Sequence, residues 1–250
     1  MKIARVRHGE DVFYGEICGN VVRRIIGQPY ENLRFDGREY ALRDAKLLAP
    51  VEPRTVLCVG RNYYDHIMEL SHEVPEEPLL FYKPVTTIIG PEDDVIYPAI
   101  SKRLDHEAEL MIVIGKKASA VKRGQAADYI FGYTCVNDIT ARDVQRRERQ
   151  FSRSKGCDTC CPIGPWIETE LDASDVGIVC RVNGEVRQDG RTSRMMTSID
   201  DLICFITEAI TLYPGDVIAT GTPAGVSPMK VGDTVEVEIE GIGILRNRIV

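Results

Sequence analysis

Only one stretch of this chain carries a sustained helical period, and that constrains its fold more than any other feature. From Ser198 to Tyr213 the apolar residues Leu202, Phe205, Ile206, Ala209 and Ile210 recur at spacings of three and four, which lays them on one helix face. Ser198 is a suitable N-cap, Asp200 and Asp201 suit the positive end of the helix dipole, and Pro214-Gly215 stops the run. Elsewhere the chain is made of short β-like runs broken by glycine and proline. Residues 55–60 read as a buried strand, 107–114 as a strong strand closed by Gly115, and 129–137 as a strand rich in aromatic and β-branched residues. Residues 234–239 alternate strictly, as a half-exposed strand does. Short helices are expected over 65–72 and 141–150. No regular βαβ alternation and no repeat of fixed period is present, so the chain reads as α+β and β-rich.

A length of 250 residues is enough to bury a core without disulfide staples. Pro50 and Pro53 mark a boundary, which divides the chain into a small N-terminal β domain (1–52) and a main domain (53–250). Lys+Arg is 31 against 38 Asp+Glu, a net charge of −7 that argues against nucleic acid or an anionic membrane as partner. The first five residues lack the apolar core of a signal peptide, and the longest apolar run, 110–114, is too short to span a bilayer. The expectation is a cytoplasmic protein whose eight cysteines are free thiols.

Three groups of residues carry chemistry. The first is Asp105-His106-Glu107-Ala108-Glu109. Residues two apart on a strand share a face, so Glu107 and Glu109 project together while Ala108, Leu110 and Ile112 face a core. Two such carboxylates are tolerated if exposed, if one is protonated, or if a cation lies between them. A solvated strand face is the ordinary reading. Asp138, at the end of the run 133–137, is either a turn former or the third member of a hard oxygen site. Three carboxylates with open positions suit Mg²⁺, Mn²⁺ or Ca²⁺ better than Zn²⁺. The second group is His66 with Glu69, three apart on one helix face, where the carboxylate can orient the ring and raise its basicity. The third is Cys157-x-x-Cys160-Cys161. A redox pair is one reading, but no thioredoxin-like frame or second zinc-type Cys pair accompanies it, which favours buried free cysteines. Lys155 and the loop Gly221-Thr222-Pro223-Ala224-Gly225 read alone as a solvated lysine and a tight turn.

Taken in order, several stretches resemble the fumarylacetoacetate hydrolase family. They are Val59-Gly60-Arg61-Asn62-Tyr63 with Asp65-His66, Phe81-Tyr82-Lys83-Pro84, His106-Glu107-Ala108-Glu109-Leu110, and Asn137-Asp138-Ile139-Thr140-Ala141-Arg142-Asp143. Ser154-Lys155-Gly156-Cys157-Asp158, Cys161-Pro162-Ile163-Gly164-Pro165-Trp166, Val182-Asn183-Gly184-Glu185 and Gly215-Asp216-Val217-Ile218-Ala219-Thr220-Gly221-Thr222-Pro223 complete the set, over about four-fifths of the chain. The resemblance implies a rolled mixed sheet, usually a homodimer, and a divalent metal (Mg²⁺ or Mn²⁺, with Ca²⁺ also admissible) on Glu107, Glu109 and Asp138. It implies that His66 with Glu69 activates water or moves a proton, and that Lys155 holds and polarises a bound oxo acid. Arg61, Gln145 and Thr222 are its weaker candidates for substrate contact. Relatives often carry Phe at the positions of Cys157 and Cys160, a departure that bears on specificity.

The expected substrate is a small 2-oxo acid. Hydrolysis of a C–C bond in an acylpyruvate is the favoured expectation. Isomerisation of a 2-hydroxy-diene dioate or decarboxylation of an oxo acid such as oxaloacetate is the alternative. A metal-stabilised protein that binds oxo acids without turnover is the non-enzymatic one.

Overall fold

The computed structural model describes residues 1–148 and 150–250. Its centre is a twelve-stranded mixed sheet. Across it run Phe35–Ala41, Val21–Ile25, Asp11–Cys18, Lys2–His8, Cys161–Glu168, Ile130–Asn137, Ala108–Ile114, Val217–Ala219, Val56–Gly60 and Leu79–Lys83, with two short strands off this path. Neighbours on this path are antiparallel except Val217–Ala219, which runs parallel to Val56–Gly60. The first strand pairs with the Cys161–Glu168 strand (Lys2 opposite Glu168, Ile3 opposite Ile167), so the N-terminal strands extend the main sheet. A five-stranded sheet of Glu185–Arg191, Gly177–Val182, Thr234–Ile239, Gly243–Ile249 and Asp94–Val95 completes a second layer.

The Ala108–Ile114 strand is buried along its whole length, because both of its faces are covered. Leu110 packs with Ile178, Val237 and Leu245 of the second sheet. Ile112 and Ile114 pack with Leu202, Ile203 and Ile206 of the long helix. Leu110, Ile112 and Ile114 share one face; on the other, Met111 and Val113 pack with Ile3, Ile25, Val136 and Ile163, so apolar residues occupy both faces, as in a central strand. Thr234–Ile239 keeps the alternation expected of it, with every second residue buried.

The long helix spans Ile199–Ala209 and ends four residues before Tyr213. Ser198 caps it, its Oγ accepting from the Asp201 N–H at 3.2 Å. It stops early because Leu212 exchanges two backbone hydrogen bonds of 2.9 Å with Ala118, which draws Ile210 into extended backbone. The other expected helices are also shorter, at Tyr64–Glu69 and Arg142–Gln145, with a further turn at Ser152–Lys155. No helix among the described residues is long and apolar enough to cross a membrane.

Asp216 ties the helical layer to the sheet. Its carboxylate accepts from the backbone N–H groups of Thr55 (2.8 Å), Arg54 (3.1 Å) and Tyr213 (2.7 Å), and the residue is 1% exposed. Asp216→Ala strands those donors and is expected to cost about 3 kcal/mol in a urea unfolding titration, roughly one per lost bond. A loss below about 1 kcal/mol would mean that water replaces the carboxylate.

Candidate active site

The three carboxylates of the sequence reading converge. Glu107, Glu109 and Asp138 each offer an oxygen within 4.8 Å of the others, and all three are buried. They are not on a solvated face, because Lys83, Arg142 and Lys155, with the segments at 61–72 and 221–222, enclose the side of the strand end that they share. Asp138 is brought in by the Ala108–Ile114 and Ile130–Asn137 pairing, in which Ala108 lies opposite Asn137.

Buried cations surround this cluster. Lys155 Nζ donates to Glu107 Oε2 at 2.5 Å and to Asp138 Oδ2 at 2.6 Å. Lys83 Nζ donates to Asp138 Oδ1 at 2.7 Å. Arg142 spans Glu107 (2.5 Å), Asp105 (2.9 Å) and the Gln145 amide oxygen (2.7 Å). Burial alone would raise the Glu107 pKa, but the Lys155 and Arg142 charges more than offset it and hold the carboxyl well below its usual range. Glu109 goes the other way. Burial, then the charge of Asp138, pushes it well above the usual carboxylate range. It pairs with no cationic side chain among the described residues, and its Oε2 accepts only a backbone bond from Gly221 at 2.7 Å. A buried carboxyl with no cationic partner, beside two that have them, has the donor chemistry of an oxygen site for a divalent cation, so the residues fit such an ion.

Gly221 makes that bond by close approach. Its φ is +97°, and a Cβ there would lie 2.8 Å from Asn62 Cβ. Next to it, Arg61 adopts φ +57°, an unfavourable conformation for a residue with a Cβ.

His66 sits on the Tyr64–Glu69 helix with its Nδ1 3.2 Å from Glu69 Oε2. Glu69 is itself fixed by the Gly225 N–H, at 3.1 and 3.2 Å from its two oxygens. Nδ1–H donating to the carboxylate leaves Nε2 as the free acceptor, so the ring is set up as a base toward the pocket it lines. That pocket is also lined by Arg61, Glu107, Glu109, Gln145, Lys155 and Thr222. The wall opposite Lys155 is aromatic: its ammonium lies 5.1 Å from the Phe81 ring centre, and Phe151 packs edge-on against Phe81. The Thr222 hydroxyl is committed internally, donating to the Ala108 carbonyl (2.8 Å) and accepting from Gln188 (2.7 Å). Its role is to tie its loop to the carboxylate-bearing strand more than to present a free donor.

The sequence reading assigned no role to Arg142, Lys83 or His72. His72 lines the pocket, and burial lowers its pKa. Lys83 closes the run 79–82 and is itself buried, but nothing local to it marks its acid partner.

Residues 55–250 match the model of the fumarylacetoacetate (FAA) hydrolase C-terminal family, and residues 1–50 that of the Rv2993c-like N-terminal family. A solved structure of 5-carboxymethyl-2-hydroxymuconate delta-isomerase from Mycobacterium smegmatis superposes with a TM-score of 0.95 at 44% identity, covering 100% of this chain and 99% of that one. A fumarylacetoacetate hydrolase from Exiguobacterium antarcticum gives a TM-score of 0.89 at 37% identity, covering 100% and 99%. The human protein named oxaloacetate tautomerase FAHD2A, mitochondrial, is 43% identical over 83% of this chain and 70% of its own length.

Proposed function

This chain belongs to the fumarylacetoacetate hydrolase family, and on that premise we propose that it is an enzyme moving a proton between carbon and oxygen of a small 2-oxo acid. The observation that carries this reading is the His66–Glu69 pair, with one ring nitrogen held by a carboxylate and the other left for the pocket. A divalent cation held by Glu107, Glu109 and Asp138 would supply Lewis-acid polarisation of the substrate's ketone oxygen.

The chain's own residues do the rest. Arg61, with no carboxylate partner among the described residues, binds the acid's carboxylate. Lys155 keeps its proton: burial works against the charged form, but Asp138 and Glu107 outweigh it. It therefore places a fixed positive charge where oxyanion character develops. His66 Nε2 takes the proton from the carbon beside the ketone, and Glu69 stabilises the imidazolium that forms. Returning that proton to oxygen, or to another carbon of the enol, completes a tautomerisation or isomerisation. Two relatives above 40% identity carry names for reactions of this kind.

Hydrolysis of an acylpyruvate is the second reading, favoured by the same pair. A base that accepts from carbon also accepts from water, and the Exiguobacterium neighbour bears a hydrolase name. The test is turnover with Mn²⁺ or Mg²⁺, then with a chelator, on oxaloacetate, a 2-hydroxy-diene dioate, acetylpyruvate and fumarylpyruvate. Enol–keto conversion or double-bond migration without cleavage supports the first reading. Pyruvate release from the last two supports the second, and no turnover on any of them overturns both. His66→Ala is expected to lower kcat about a hundredfold or more while Mn²⁺ affinity stays unchanged; an unchanged kcat would remove His66 as the base.

A further inference from the structure

The Cys157-Asp158-Thr159-Cys160 turn follows Lys155 by two residues and takes no part in the chemistry above. Its backbone closes on itself, the Cys160 N–H donating to the Cys157 carbonyl at 3.2 Å, with Thr159 at φ +65°. Cys160 is 1% exposed, whereas Cys157 is only partly buried, so one sulfur is reachable and its neighbour is sheltered. As a thiol, Cys157 donates to the Arg153 carbonyl at 3.2 Å, at the turn Ser152–Lys155.

We propose that Cys157 and Cys160 form a peroxide-sensitive modification site, in which Cys157 is oxidised first and then closes onto Cys160 as a disulfide. In the first step the Cys157 thiolate attacks one peroxide oxygen. An S–O bond forms, the O–O bond breaks, and the leaving hydroxide or alkoxide takes up a proton. In the second step the Cys160 sulfur attacks the Cys157 sulfenic acid. The S–S bond forms, the S–O bond breaks, and hydroxide leaves as water with the Cys160 proton. Two thiols are oxidised and one hydroperoxide is reduced.

The setting favours Cys157 as the attacking thiol. The neighbouring Cys160 thiol pulls its pKa down to about 7, against partial burial and with help from the Lys83 charge. About half is then thiolate at neutral pH, against a few per cent for an ordinary thiol near 8.5. Lower intrinsic nucleophilicity returns part of that gain, leaving about a three- to fourfold advantage. Oxidation removes the S–H that donates to Arg153 and so loosens the turn that carries Lys155. This consequence for turnover rests on the role proposed for Lys155; the disulfide itself does not.

The test exposes the full-length protein to equimolar hydrogen peroxide, blocks the remaining thiols and maps the peptides. The expected result is one disulfide, Cys157–Cys160, two of the eight thiols lost, and recovery with dithiothreitol. Cys160→Ser should trap a dimedone-reactive sulfenic acid at Cys157, and Cys157→Ser should form no disulfide. Cys18, which is exposed, is the internal control. With limiting iodoacetamide at neutral pH, Cys157 should label about three to four times faster than Cys18. Faster labelling of Cys18, a different disulfide, or two unmodified thiols overturns the proposal. For any substrate the enzyme turns over, oxidation should slow the parent and spare Cys157→Ser. A disulfide that leaves turnover unchanged removes the control role and keeps the modification site.

Discussion

Glu109→Gln is expected to lower Mn²⁺ and Mg²⁺ affinity by more than about a hundredfold, beyond what loss of a supporting partner costs, while at acid pH, below the unfolded carboxyl value of about 4.5, the cation-free protein keeps its stability to within about 1 kcal/mol. The two halves of this result follow from one observation. Glu107 and Asp138 each have buried cations bonded to them, and Glu109 has none among the described residues. Burial and the Asp138 charge push the Glu109 pKa well up, which favours its neutral form in the cation-free protein. A glutamine then has nearly the same shape and the same zero charge, and its amide oxygen still accepts from Gly221. What it lacks is the negative charge that a divalent ion needs.

The pH dependence follows in sign. A carboxyl whose folded pKa lies above its unfolded value of about 4.5 contributes stability below that value and loses it as pH rises through the folded pKa. The cation-free parent should therefore lose stability on going from acid toward neutral pH relative to Glu109→Gln. Cation affinity in the parent should rise over the same range, because binding must expel the Glu109 proton. Thermal unfolding of the two proteins against pH, with calorimetric titration of Mn²⁺, measures both. Glu109→Gln binding within threefold of the parent would mean that the ion, if it binds, does not use Glu109.

The parts of the site that were legible in sequence are those that a period makes visible. Glu107 and Glu109 share a face because they are two apart, and His66 and Glu69 meet because they are three apart on a helix. Local spacing carried no information about what closes the other side. Lys83 and Arg142 reach their carboxylates from 55 and 35 residues away, and only the sheet order brings them there. Read locally, each is a charge beside a turn. Burial of Glu109 was hidden for the same reason, since 107–114 shows an apolar run whether one face or both are covered. The long helix was legible at its start, where Ser198 supplies a cap, and misjudged at its end, where a tertiary pairing of Leu212 with Ala118 outweighs the helical period of Ile210. The N-terminal strands read correctly as β, but nothing in their residues announces that Ile3 pairs with Ile167.

Lys83→Met should be the most destabilising single change at the site, about 3–5 kcal/mol, because it leaves a buried carboxylate short of its counter-charge. The Lys83 side chain is 0% exposed and that of Asp138 1%, so no solvent replaces the lost bond of 2.7 Å. Burial alone would discharge Lys83, and it is chiefly the Asp138 charge that keeps it protonated. Methionine fills the same volume, which separates the charge effect from a cavity effect. Adding Asp138→Asn to Lys83→Met should recover about half of the loss, since the unpaired charge is then gone while Lys155 retains Glu107. The variant has a second signature. In Lys83→Met the Asp138 carboxylate lacks one cation, so a divalent ion bound beside it should stabilise this protein more than the parent. Saturating Mn²⁺ is therefore expected to raise the Tm of Lys83→Met further than it raises the parent's. Equal shifts would show that Asp138 does not hold the ion, and a loss below about 1 kcal/mol in denaturant would show that the Lys83–Asp138 pair is dispensable to the fold.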